Sequence, residues 1–396
     1  MTPSPLRSGP PVLTQPRARS GRVSPEPHDG PGRSRWRPLR RSPFAAAGIL
    51  GLLLLLLIGC GTGSTPFPGA EWDRWGSPEA GGLSSEGLIP VEERLQGMST
   101  SAMMVVTGGR VAFEYGDLEE VSYLASVRKS ILAMLYGIYW DREIIDLDLT
   151  LAQLDIDDHG ELTGSEREAR TRDVIASRSG IFHPASNSGD DLDSAPDRGS
   201  VAPGEYYLYS NWDFNAAGTI FEVQSGVDIF NALEMELAIP LRFQDFERER
   251  HEKGGNPDRS IHPSYHMHLS TRDMARVGYL ALRQGRWGDH RIISEEWMEK
   301  MTRPTTPVHE MNPERRRDGP HGYGYMWWVW DGEAATGPYR GAYTGVGAVG
   351  QYITVLPELD MVVAHKTVPG EDRRVEHTQF FQLLDDVVEA YCGESC

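Results

Sequence analysis

The stretch Ala125-Ser126-Val127-Arg128-Lys129-Ser130 is the one from which the rest of the chain is best read. A serine hydroxyl is a weak nucleophile until a base takes its proton, and a lysine three residues on lies one helical turn away on the same face. Val127, Ile131, Met134, Leu135 and Ile138 follow at the spacing of a helix with one buried face, which puts Ser126 at the helix start. There the free N–H groups of the first turn favour a developing anion. Lys129 can act as the base only if burial or a neighbouring cation lowers its pKa. Lysine is scarce, at Lys129, Lys253, Lys300 and Lys366 only, so a lysine at this spacing weighs more than the pattern alone.

Two further segments can complete such a site. Tyr209-Ser210-Asn211 offers a phenol to relay a proton and an amide to orient the lysine or a substrate. The run Tyr343-Thr344-Gly345-Val346-Gly347 has glycines that let a substrate approach backbone N–H groups, one of which can join the N–H of Ser126 in stabilising an oxyanion. Around these, Met103–Thr107 and Arg110–Tyr115 flank Gly108-Gly109 as a hairpin. The middle, from about 146 to 288, reads as an inserted, mainly helical subdomain, in which Ser270 and Asp273 have the form of a capping box. Strands return at Tyr323–Trp330, Gly341–Thr344, Gln351–Leu356 and Met361–His365, before a helix from about Glu376 to Tyr391. Strands at both ends thus enclose helices, a fold of α/β class in the α+β sense.

The 396 residues carry a net charge of −18, distributed unevenly. Residues 1–43 hold nine arginines against Glu26 and Asp29, leaving −25 on the remainder, which reads as acidic, without a basic patch, and argues against nucleic acid as a partner. The basic stretch runs into fifteen small or apolar residues, Phe44 to Ile58. That is short of the roughly 20 needed to span a bilayer and suits a signal sequence over 1–59. Leu57-Ile58-Gly59-Cys60 resembles the bacterial lipobox, which implies export across the inner membrane and a lipid on Cys60 that anchors the protein to the cell envelope, on the periplasmic or cell-surface side. Residues 60–87, rich in Gly, Pro and Ser, read as a flexible tether to a domain at 88–396. Cys392 and Cys396 allow at most one small terminal loop. His262, His266 and His268 include a His-x-His pair that could point two imidazoles one way, but no nearby Cys or acidic ligand has convincing spacing, so they are read as polar loop residues and not as a metal site.

Several stretches together resemble the β-lactamase-related and penicillin-binding-protein-like serine hydrolases. They are Ala125–Ser130, Ser177-Arg178-Ser179-Gly180-Ile181, Tyr209-Ser210-Asn211, the helix start at Leu269–Gly278, Gly322-Tyr323-Gly324-Tyr325 with Trp327-Trp328, Gly350-Gln351-Tyr352 and Leu356–Asp360, covering roughly 100–390. The resemblance implies a β-lactamase/transpeptidase-like fold, with the N-terminal hairpin and the C-terminal strands in one antiparallel sheet flanked by the terminal helices. It also implies Ser126 as nucleophile, Lys129 and Tyr209 as proton carriers, Asn211 and the 343–347 strand as substrate- and oxyanion-binding groups, and no cofactor. The strand departs from the family pattern of Lys-Thr-Gly or His-Thr-Gly, so a cation for a substrate carboxylate is missing there unless Arg340 supplies it. An esterase- or amidase-like activity on small ester, amide or peptide-like substrates is therefore expected ahead of β-lactam or D-Ala-D-Ala hydrolysis, and ahead of a catalytically silent binding protein on the same fold.

One prediction follows from the N-terminus. In a bacterial host the full-length protein should fractionate with membranes and incorporate radioactive palmitate, and Cys60→Ser should lose the label; equal labelling of the substituted protein would exclude this anchor.

Overall fold

Gly108 and Gly109 take φ of 55° and 81°, the left-handed backbone that reverses a chain within two residues. They join β1 (Ala102–Thr107) to β2 (Arg110–Gly116). In the computed structural model, which describes residues 66–370 and 372–393, this hairpin pairs with five C-terminal strands. These are β3 (His321–Tyr323), β4 (Trp328–Trp330), β5 (Tyr343–Gly347), β6 (Gln351–Leu356) and β7 (Met361–Lys366). The antiparallel order is β2-β1-β7-β6-β5-β4-β3.

Five helices set the layers: α1 (Leu88–Gln96), α2 (Val127–Asp141), α3 (Asn211–Ser225), α4 (Thr271–Leu282) and α5 (His377–Glu389). Alternation sorts the strand residues. Met103, Val105, Tyr352 and Val363 pack beneath the terminal helices α1 and α5, which Arg94 clips together by binding Asp386. Met104, Val106, Ile353 and Ala364 face α2 and α4. Sheet and terminal helices thus stand as the sequence reading has them.

Three details differ. The run Tyr323–Trp330 is two strands, because Gly324 passes so close to Met301 that a Cβ there would lie 2.2 Å from its carbonyl oxygen, and Met326 then turns the chain at φ 59°. α4 belongs to the sheet layers rather than to the insertion: a Cβ on Gly278 would sit 2.5 Å from a Val362 methyl, so helix and strand are flush. The capping box at its start is half formed. Ser270 Oγ accepts from Asp273 N, but the Asp273 carboxylate accepts from Gln244 N and Asp245 N and ties in the preceding loop instead.

α2 also departs from the expected single buried face. All its residues except Trp140 and Asp141 are buried. Two indoles lock it: Trp297 donates to Ala133 O at 3.0 Å and Trp327 to Ser130 O at 3.1 Å.

The largest correction concerns residues 66–87, read above as part of a tether. They form a belt on the domain. Trp72 is 5% exposed and donates to Arg272 O, Trp75 donates to Thr107 O, Leu83 is fully buried, and the Arg276 guanidinium donates to Gly69 O and Ala70 O. Composition misled because Gly, Pro and Ser predominate, while two tryptophans and one leucine provide the contacts. The signal sequence and Cys60 lie outside the described residues, as does Cys396; Cys392 is disulfide-bonded. Among the described residues no helix is long and apolar enough to cross a membrane.

A belt and a tether predict different energetics. Trp72→Ala should lower stability by about 3 to 5 kcal/mol, as for a buried aromatic truncation, read as a fall in the denaturation midpoint; a change within about 0.5 kcal/mol, the range for surface substitutions, would restore the tether.

Candidate active site

A short strand, Ser122–Tyr123, delivers the chain to α2 through Leu124, whose N–H donates to Met267 O, and Ala125, which takes φ 47°. A left-handed alanine is strained, of order 1 kcal/mol, and here it is held by the bonds on either side. The turn leaves Ser126 half-buried at the N-cap of α2 while the next residues plunge into the core.

One turn on, Lys129 is 1% exposed. Its Nζ donates to Tyr209 Oη at 2.6 Å and to Asn211 Oδ1 at 2.7 Å, and lies 4.2 Å from the ring centres of both Tyr209 and Phe214. These are neutral oxygens and ring faces. Burial therefore pushes the Lys129 pKa well below the ordinary lysine value, and the neighbouring Arg128 charge pushes the same way. Arg128 is itself buried on the Tyr265 ring, with Nη2 on Asn215 Oδ1. Tyr209 hydrogen-bonds Ser126, and burial raises its phenol to about 12, so it stays protonated near neutral pH. Ser126, Tyr209 and Lys129 thus form a continuous polar path.

Asn211 is tied to this path. Its Nδ2 donates to Ser188 O at 2.8 Å, which fixes Oδ1 towards Lys129, and Ser210 Oγ caps α3 so that the amide is held at the first helical residue. Of the two roles that the sequence leaves open for this amide, orienting the lysine or a substrate, the contact present is the one to the lysine.

The 343–347 strand splits by alternation. Gly345 and Gly347 face α2: a Cβ on Gly347 would lie 2.6 Å from Leu124 O and 3.2 Å from Ser126 N, and one on Gly345 would lie 2.9 Å from Ser130 Oγ. Tyr343 is instead packed edge-on against Trp327, and Thr344 shares a hydrogen bond with Thr354 on the opposite face, so neither lines the site. β4 pairs β5 only at Tyr343 and Thr344, which leaves the Gly345–Gly347 edge without a strand neighbour on that side. Arg340 is 69% exposed and lies near Glu358 beyond the other end of β5, so it does not replace the missing cation.

Sequence reasoning passed over the groups beside this edge. Trp328 stacks on Tyr209 with ring centres 5.5 Å apart, and the Arg316 guanidinium lies 5.1 Å from the Trp328 ring and 5.6 Å from that of Tyr209. Arg315 and Arg316 both bind Asp191, whose N–H donates to Tyr209 O. The run Arg315-Arg316-Arg317 was the available signal, and it corrects the reading that the acidic part has no basic patch. His262, by contrast, is engaged by Thr219 and Asp157 O, and among the described residues no group of three or more acidic, His or Cys side chains is placed to hold a metal ion.

Residues 90–378 match the family model described as Beta-lactamase. No match is found among curated proteins. Several solved structures share the fold. A penicillin-binding protein homolog from Caulobacter crescentus has a TM-score of 0.57 at 15% identity, over 78% of this chain and 99% of its own. A penicillin binding protein from Bacillus halodurans has 0.54 at 13%, over 74% and 99%. EstCE1, described as a hydrolase with promiscuous acyltransferase activity, has 0.54 at 16%, over 75% and 98%.

The geometry predicts graded losses. Ser126→Ala should abolish covalent labelling by a fluorophosphonate with little change in thermal midpoint, while Lys129→Ala and Tyr209→Phe should each lower ester turnover about 10² to 10⁴-fold, the usual range for a proton-transfer group; labelling that persists on another residue would remove Ser126 from the assignment.

Proposed function

The chain belongs to the β-lactamase family, and from that footing we propose that it is a serine hydrolase that cleaves an ester or amide through an acyl-enzyme on Ser126. The observation that carries this reading is the buried path from Ser126 through Tyr209 to a lysine whose bonds run to neutral oxygens.

Lys129, neutral because it is buried, takes the Tyr209 phenolic proton as Tyr209 takes that of Ser126 Oγ. Oγ then bonds to the carbonyl carbon. The oxyanion develops beside the Ser126 N–H at the α2 N-terminus and the open Gly345–Gly347 edge. The proton returns along the same path to the departing oxygen or nitrogen, the carbon–heteroatom bond breaks, and water later hydrolyses the ester by the reverse route. Asn211 keeps Nζ aligned throughout. The absence of a side chain at Gly345 and Gly347 is required because the strand lies against the nucleophile turn. An ester- or amide-cleaving activity is favoured over β-lactam hydrolysis because β5 carries no lysine or histidine where that strand meets α2. The likeness to EstCE1, itself described as a hydrolase, is consistent with this. With a lipid on Cys60 the enzyme would work at the cell envelope.

The pH dependence carries a definite sign. The base works only deprotonated and its pKa is depressed, so turnover of p-nitrophenyl butyrate should be low in acid, rise through one ionisation, and level off below the free-lysine value of about 10.4. Asn211→Asp places a carboxylate beside Nζ, stabilises the ammonium and should move that rise to higher pH. A profile flat from about pH 6 to 10, or one unmoved in Asn211→Asp, would show that another group accepts the proton.

A further inference from the structure

We propose that Arg316 is the specificity-determining residue of this cleft and that the preferred substrate carries a carboxylate about 10 Å from its scissile carbonyl. The inference rests on the serine-hydrolase reading and adds the substrate class.

Position comes first. The Arg316 guanidinium lies against two aromatic rings, one of which belongs to the catalytic Tyr209, and the side chain remains 29% exposed. It is at once beside the chemistry and open to solvent. The open edge of β5 runs from Gly347, next to Ser126, back to Thr344, whose register partner is Trp328. Three residues of strand at ~3.3 Å each span about 10 Å. A substrate lying along this edge with its carbonyl at Ser126 therefore brings its other end to Trp328 and Arg316.

Fixation comes second. A guanidinium has five N–H donors in a rigid fork. Arg316 gives Nε and Nη2 to Asp191 at 2.6 and 2.5 Å, and the Asp191 carboxylate, 5% exposed, also takes Arg315 at 2.6 Å. Arg317 ties the loop down by donating to Met311 O and Asn312 Oδ1. The fork is oriented before any ligand arrives, and donors remain on Nη1.

Charge comes third. Two guanidiniums share one carboxylate, so the Arg315–Asp191–Arg316 cluster keeps one positive charge. The adjacent Asp190 carboxylate accepts from Asn211 N and serves α3. An anionic substrate group completes the cluster, and Arg316 is suited to take it in a bidentate geometry. Arg316 thus offers its charge about 10 Å along the edge, not beside Ser126 where the family strand carries its cation.

The test compares matched esters on the intact protein. On the acyl side, the mono-p-nitrophenyl ester of suberic acid is set against p-nitrophenyl octanoate; on the leaving-group side, the butyrate ester of 8-hydroxyoctanoate is set against octyl butyrate. In at least one pair the anionic member should have a kcat/KM about tenfold to hundredfold higher, expressed mainly in KM, as for a hydrogen bond to a charged group. Arg316→Gln should bring that ratio to about one and Arg316→Lys should recover part of it. Arg315→Gln, which breaks the cluster but leaves Arg316, should keep the preference. A ratio near one in both pairs for the native protein, or a preference that survives Arg316→Gln, overturns the proposal. If the ratio falls equally in Arg315→Gln and Arg316→Lys, Arg316 is a strut and the proposal also fails. Absence of all ester turnover together with absence of labelling at Ser126 would instead count against the serine-hydrolase reading.

Discussion

A lysine ammonium in a protein interior has lost its water, and the structure is organised around supplying Lys129 with almost nothing in exchange. Two neutral oxygens and two ring faces surround it, where a carboxylate would have restored its charge. Holding a base in that condition requires rigidity on every side, because any relaxation that admitted water or an acid would return the proton. The burial of α2 on all faces, the indoles bonded to its carbonyls and the capped start of α3 all act to that end. Arg128 is part of the same device. It places a second buried cation one residue from the first, and the two repel through an interior that screens poorly.

Chemistry and recognition then occupy different kinds of backbone. The proposed proton path is built from two helix starts and the buried Tyr209 just ahead of the second, positions that the core dictates. The groups beside the open edge, Asp191, Arg315 and Arg316, sit in loops that the core does not dictate and that are joined to each other by charge. A loop residue can change without disturbing α2, so substrate preference is free to vary while the reaction stays the same.

This division explains what was legible. The sheet could be read because period-two alternation and the Gly108-Gly109 turn are local signals, and Ser126, Lys129 and Tyr209 because a reactive spacing recurs beside helix and strand punctuation. Asn211 was found with two roles open, orienting the lysine or a substrate, and only the contact to Ser188 shows which way its amide faces. Thr344 was included because a sequence does not say which face of a strand meets the nucleophile, and a shift of one residue reverses the answer; Tyr343 shares the glycines' face and is taken up by packing against Trp327. Arg316 was passed over for a different reason: the arginine run marks the place, but its partner Asp191 lies 125 positions away and no sequence motif joins the two. The belt was misjudged because packing depends on a few large side chains, whereas composition averages them away.

The belt has a consequence for how the protein is made. Arg276 donates to Gly69 O across 207 positions of chain, and Tyr279 to Pro66 O across 213. A polypeptide emerging N-terminus first presents the belt long before α4 exists to receive it, and loop closure on that scale is slow. Trp72, whose partner Arg272 lies 200 positions on, must therefore wait, exposed, until most of the domain has been synthesised. Assembly is sealed from the beginning of the chain only after its end is nearly complete, which makes the interval before closure the period in which this protein most needs a chaperone and is most open to proteolysis.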